Sequence, residues 1–124
     1  LMLTLCALPS VWGGGFPRVS MVTLSNAGYV TYTANLIFTL QHFAGPVFEC
    51  MLEVACIDDE CVEALSPLRP SCPDQVYRRG LIDFEAGMSE FSSYKSKSFN
   101  KITHLKFELL AERLLTHDFV LLID

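Results

Sequence analysis

The run from Asp118 to Asp124, DFVLLID, sets five apolar residues without alternation between two aspartates. A short unbroken apolar run fits a strand buried on both faces, the pattern of parallel sheets covered by helices. Asp124 then stands at the carboxyl end of that strand. In open α/β sheets ligands bind in the crevice beyond this edge, so a carboxylate there can meet a metal, a ribose or a phosphate-bound cation.

The rest of the chain must supply the sheet. With 124 residues, 51% of them hydrophobic, there is material for one domain with a real core. A net charge of −5 excludes generic nucleic-acid binding, which needs a basic surface for the phosphate backbone. The charge is nevertheless uneven. Residues 91–106, FSSYKSKSFNKITHLK, carry Lys95, Lys97, Lys101 and Lys106 and no acid, a local anion-friendly stretch on an acidic protein.

Residues 1–19 are read as an apolar, glycine-rich amino-terminal segment and residues 20–124 as the domain. The opening LMLTLCALPSVW is uncharged but broken by Pro9 and by Gly13, Gly14 and Gly15. It is shorter than the roughly 20 apolar residues a membrane span requires. It matches the remnant of a signal anchor or of a signal peptide, and equally an apolar strand or a disordered stub. The five cysteines (Cys6, Cys50, Cys56, Cys61, Cys72) contain no C-x-x-C, and His42, His104 and His117 are not spaced as ligand pairs. Cys50 and Cys56 are expected on one strand, unable to bridge each other. Cys61 and Cys72 flank a proline-rich loop and could pair in an oxidising lumen, but buried or free thiols are the preferred reading.

The periodicity predicts strands near 20–26, 49–57 and 118–123 and helices near 29–43 and 99–116. The first helix follows Ser25, Asn26 and Gly28 and carries Val30, Ala34, Ile37, Leu40 and Phe43 on one face, with Gly45-Pro46 ending it. After the second strand, Asp58 reaches the sheet edge and Asp59 suits the N-cap of a short helix. Breakers dominate residues 67–87, where VYRRGLIDF is only a weak strand candidate. The second long helix, capped by Ser98 or Asn100, has the stripe Phe99, Ile102, Leu105, Leu109, Leu110 and Leu114. Lys106 lies beside that stripe in the helix's first half.

In a βαβ crossover the amino end of a helix lies at the carboxyl edge of the sheet, where the dipole favours anions. Three segments therefore converge there: the turn of Ser25, Asn26 and Tyr29, the strand end at Asp58, and the lysine helix leading to Asp124. A nucleotide needs polar groups for base and ribose, a cation for its diphosphate and a carboxylate for a bridging divalent metal. Residue by residue, the plain alternatives are that Lys106 snorkels, Asp58 caps a helix and Asp124 is a solvated strand end.

The runs VTLSNAGYVTYTANLIFTLQ, EVACIDDE and FNKITHLKFELLAERLLTHDFVLLID resemble the amino-terminal half of GT-A fold glycosyltransferases. The nearest likeness is to the nucleotide-diphospho-sugar transferase family, with a more distant one to glycogenin-like enzymes, over about residues 20–124. The resemblance implies a Rossmann-like three-layer α/β/α fold with a mostly parallel sheet, here incomplete. It implies that Leu24, Ser25, Asn26 and Tyr29 hold base and ribose, that Lys106 faces the diphosphate and that Asp58 lies near the base. Asp124 matches the first aspartate of a D-x-D motif that holds Mn²⁺ or Mg²⁺; the second would follow it. Catalytic residues and the acceptor pocket are implied to lie in the other half.

The expected activity is transfer of a sugar from a nucleotide-sugar donor, a UDP-sugar foremost, to a hydroxyl of a glycan, protein or small molecule, with this truncated chain inactive alone. The implied location is the Golgi lumen as a type II membrane protein, or the cytoplasm if the opening run is no targeting remnant. The alternatives are a non-catalytic α/β module binding a nucleotide or protein, and a membrane-anchored structural fragment.

Overall fold

A computed structural model describes residues 3–7, 17–79 and 97–123. They form an α/β fold around a five-stranded sheet. Its strands are β1 (Leu3–Ala7), β2 (Val19–Ser25), β3 (Leu52–Cys56), β4 (Val76–Arg78) and β5 (Phe119–Ile123), in the spatial order β1-β5-β2-β3-β4. Four are mutually parallel: β5 pairs with β2, β2 with β3, and β3 with β4. β1, inside the opening apolar run, joins as an antiparallel edge strand on β5, with Leu3 opposite Ile123 and Ala7 opposite Phe119. This arrangement is compatible with a Rossmann-like fold. Among the described residues no helix is long and apolar enough to cross a membrane.

The central strands read as continuous apolar runs because both of their faces are covered. On one face Leu52, Val54, Cys56 and Ile123 pack with Ile37 of α1 (Val30–Phe43) and with Cys61 and Leu65 of α3 (Asp59–Leu65). On the other, Val22, Ala55, Val120 and Leu122 pack with Leu109 and Leu110 of α4 (Lys97–Leu114). Alternate residues of one strand thus feed different cores. The parallel starts of β2 and β5 are joined at their base, where the Arg18 amide donates to Asp118 Oδ2 at 2.8 Å and the Asp118 amide to Arg18 O at 2.8 Å.

Several expectations need correction. The strand expected over 49–57 is confined to β3, because Gly45, at φ +78°, turns the chain and Pro46 starts a further helix, α2 (Gly45–Met51). The switch from α2 to β3 is held by Arg69, which is fully buried and donates to Leu52 O at 2.6 Å and to Glu49 O. Burial pulls the Arg69 pKa down, and the nearby Glu49 carboxylate opposes this. Phe43, expected on the inner face of α1, is 80% exposed at the helix's last residue, edge-on to His42. α4 starts before Ser98 and Asn100, which therefore lie within it and do not cap it; the side chain of Phe99 lies outside the described residues. The weak strand candidate is real over β4 alone; Arg79 lies beyond the strand and residues 80–84 fall outside the described residues.

The cysteines are corrected too. Cys50 sits on α2, not on a strand, and is bonded to Cys72 with Cα atoms 5.8 Å apart. Cys56 is bonded to Cys61 at 5.7 Å. Spacing along the chain concealed both, since the partners meet only once α2 and α3 turn back on β3.

The carboxyl half of α4 is fixed to β3 and β4 by charge. Arg113 Nε donates to Glu53 at 2.5 Å and its Nη2 to the Tyr77 hydroxyl at 2.8 Å. Burial and Glu53 together raise the Tyr77 pKa against the opposing pull of Arg113. Arg79 makes a two-pronged contact with Glu112 at 2.5 and 2.6 Å, holding that carboxylate below its ordinary value of 4.5.

Burial separates these two kinds of contact. Arg69→Ala leaves a cavity and takes a buried donor from the Leu52 and Glu49 carbonyls, and should lower the unfolding free energy by about 2–4 kcal/mol in urea titrations. Glu112 is 45% exposed, so Glu112→Gln should cost less than about 1 kcal/mol. Its lowered folded pKa makes that contribution complete above pH 4.5, and the gap to wild type should close as the pH falls further.

Candidate functional site

At its carboxyl end β2 passes directly into α1, and the amide groups of that turn need acceptors. Asn26, 1% exposed, supplies one: its Oδ1 accepts from the Tyr29 amide at 3.1 Å. Asp58 supplies the next. Its Oδ2 accepts from the Ala27 amide at 3.0 Å while its Oδ1 accepts from the Cys61 amide at 2.8 Å. Below the turn, the Ser25 and Thr33 hydroxyls lie 2.7 Å apart, Thr33 also donating to Tyr29 O at 3.1 Å, and the Ile57 amide donates to Ser25 O at 3.0 Å.

Beside this turn lies a groove of about 930 Å³ between α1 and α4, at the carboxyl ends of β2 and β5. The size suits a ligand of nucleotide dimensions. Leu24, Ser25, Asn26, Ile57 and Leu122 come from the sheet and its edge; Tyr29, Tyr32, Asn35 and Thr39 from the α1 side; Ile102, Thr103, Lys106 and Phe107 from α4. The surface is mainly apolar, with hydroxyls and amides along α1 and the Lys106 ammonium opposite. Tyr32 and Phe107 are 63% and 62% exposed, and the Tyr29 and Tyr32 rings lie 6.2 Å apart, tilted by 50°.

The structure therefore brings together Leu24, Ser25, Asn26 and Tyr29 of one segment with Lys106 of another, remote in sequence. Asp58 is not part of the groove wall: as the N-cap of α3, a role expected for Asp59, it has both oxygens engaged by backbone amides. Asp59, one residue on, pairs instead with Arg78 at 2.6 Å. Asp124 lies outside the described residues. Among the described residues that line the groove there is no carboxylate, imidazole or thiolate. Among the described residues no group of three or more potential ligands is placed to hold a metal. They thus supply no coordination set for Mn²⁺ or Mg²⁺.

Sequence reasoning missed Tyr32, Asn35 and Thr39. A signal existed, since they recur at i, i+3 and i+7, a hydrogen-bonding stripe on the side of α1 turned from its apolar face. Ile57 and Phe107 gave no such signal, because one apolar residue in an apolar run does not reveal which side faces a cavity.

The chain matches no protein-family model, no curated protein and no solved structure.

Because Asn26 is buried and caps the turn, Asn26→Ala should destabilise the fold by about 1–2 kcal/mol. Asn35→Ala, on the exposed side of α1, should not destabilise it. Paired thermal and urea melts check this, and equal losses would mean that the turn does not depend on its cap.

Proposed function

We propose that the chain is the nucleotide-sugar-binding half of a glycosyltransferase that moves a sugar from a UDP-type donor to a hydroxyl acceptor. The observation that carries this reading is the single groove in which Leu24, Ser25, Asn26 and Tyr29 face Lys106 across the carboxyl edge of a parallel sheet. Of the residues that the family resemblance assigns to base, ribose and diphosphate, all but Asp58 thereby line one cavity. Packing of α1 and α4 against opposite faces is what a three-layer GT-A type arrangement would require, and that finer fold assignment belongs to the same proposal.

In this reading the polar side of α1 and the Asn26 turn take the base and ribose, with Tyr29 and Tyr32 offering ring faces. Lys106 takes the diphosphate as a point charge and offsets negative charge on the departing nucleoside diphosphate. Mn²⁺ or Mg²⁺ would involve Asp124, the carboxylate that the resemblance assigns to it. Two disulfides accord with a lumenal, oxidising setting such as the Golgi. A second reading, a non-catalytic α/β module that binds a nucleotide or protein, is favoured by one observation: both carboxylate oxygens of Asp58 are engaged by backbone amides.

Calorimetry with UDP, with and without Mn²⁺, tests the proposal. Lys106→Ala should weaken binding by about 1.5–3 kcal/mol, the worth of a charge-assisted contact. Lys101→Ala, on the same helix but not lining the groove, should change it by less than about 0.5 kcal/mol. Absence of UDP binding, or equal losses in the two variants, would remove the basis for the nucleotide reading. Binding without donor hydrolysis or transfer, in a chain that continues past Asp124, would favour the module.

A further inference from the structure

The two disulfides differ in where they sit and in what they hold. Cys50 and Cys72 are partly exposed and join α2 to the loop before β4. Cys56 and Cys61 are each 0% exposed, with their Cα atoms 5.7 Å apart. Their bond closes a short ring of chain, residues 56–61, and two of the residues inside that ring hold the groove. Ile57 lines it and donates its amide to Ser25 O at 3.0 Å. Asp58 accepts from the Cys61 amide on one oxygen and from the Ala27 amide on the other.

We propose that the Cys56–Cys61 disulfide and Asp58 form one clasp, and that its closure by oxidation sets the Asn26–Ala27 turn of the groove, whereas the outer Cys50–Cys72 bond is not coupled to it. The direction of Asp58 depends on two things: the first turn of α3, a helix of seven residues, and the covalent ring on which that turn starts. Helices this short do not hold themselves in water, so the ring carries the constraint. With the bond closed, Asp58 presents one oxygen to α3 and the other to the turn after β2. With it open, the β3–α3 connection gains conformational freedom, and Ala27 loses a fixed acceptor.

The step is a thiol–disulfide exchange with a small-molecule or protein disulfide as oxidant. One cysteine thiolate attacks the oxidant, forming a mixed disulfide and releasing one oxidant thiol. The second cysteine then displaces the other oxidant thiol as the Cys56–Cys61 bond forms; two electrons pass to the oxidant and the two protons leave with its thiols. Reduction runs the same path backwards and needs a thiolate to reach a sulfur. Burial of both Cys56 and Cys61 prevents that until the region opens, whereas Cys50–Cys72 is within reach of solvent. The clasp itself stands whether or not the groove takes a nucleotide; only its effect on nucleotide binding rests on the reading above.

Stepwise reduction and amide exchange test it together. The oxidised chain is treated with graded dithiothreitol under native conditions, trapped with iodoacetamide and mapped by mass spectrometry, with exchange followed at the Ala27 and Ile57 amides. Cys50 and Cys72 should label first, and Cys56 and Cys61 only as those amides lose protection. Exchange at Ala27 should rise about tenfold in Cys56→Ala/Cys61→Ala and change by less than about twofold in Cys50→Ala/Cys72→Ala. Should the first double variant fail to fold, Asp58→Asn serves in its place. It leaves the disulfide intact, removes one carboxylate acceptor and should reproduce the rise at Ala27. Labelling of Cys56 and Cys61 before any reduction, simultaneous reduction of both pairs, or unchanged Ala27 exchange in Asp58→Asn would each overturn the clasp. A chain that shows the expected exchange pattern yet does not bind UDP would leave the clasp standing and sink the nucleotide reading.

Discussion

Parallel strands cannot be joined by tight hairpins, so each must hand the chain to an element that carries it back across the sheet. That constraint acts on β2 and β3, each with parallel neighbours on both sides and helices packed over both faces, and β2 shows how it is met. Its carboxyl end has to turn in a sparsely solvated place, with amide groups that no ladder satisfies. Asn26 and Asp58 take up two of them, one from within the turn and one from the neighbouring strand's exit. The groove is the space left beside that turn, and Ser25 and Asn26 line it because the turn has to be built.

This explains why Asp58 reads as a site residue in sequence and has a different part in the fold. An aspartate after a buried strand at the binding edge of an α/β sheet has the right address for a ligand. The address does not say whether the carboxylate faces outward or toward the next helix. The amide of Cys61 and the amide of Ala27, 31 residues away in sequence, decide it, and only the second depends on tertiary contact. Asn26 shows the converse: a good helix cap by local rules, it also lines the cavity.

What was legible in the chain follows from how local the signals were. Phe119–Ile123 of the DFVLLID run form β5 and the Ile102-to-Leu114 stripe packs on the sheet, because periodicity and burial coincide there. The boundary at residue 49 was misread because EVACID continues the apolar character of its own approach, while the competing signal, Pro46 after a positive-φ glycine, starts a helix as readily as it ends one. Burial of Arg69 was illegible for a different reason. An arginine in a proline-rich loop looks solvated, and only the two carbonyls at the α2–β3 junction make its burial tolerable.

The cations of the chain divide by residue type and by place in the fold. The chain has five arginines, and each has a structural partner: Arg18 with Asp118, Arg78 with Asp59, Arg79 with Glu112, Arg113 with Glu53, and Arg69 with backbone carbonyls. All four lysines fall between positions 95 and 106, on the approach to α4 and its first turns. Planar guanidinium groups suit fixed, two-pronged contacts, whereas a compact ammonium on a flexible stem acts as a point charge. The ion pairs of Glu112 and Arg113 fix the carboxyl end of α4 against β3 and β4, and a helix held at that end presents Lys106 to the groove from a defined position. The acidic balance of the whole protein thus hides a local arrangement in which the arginines hold the scaffold and a lysine faces the cavity.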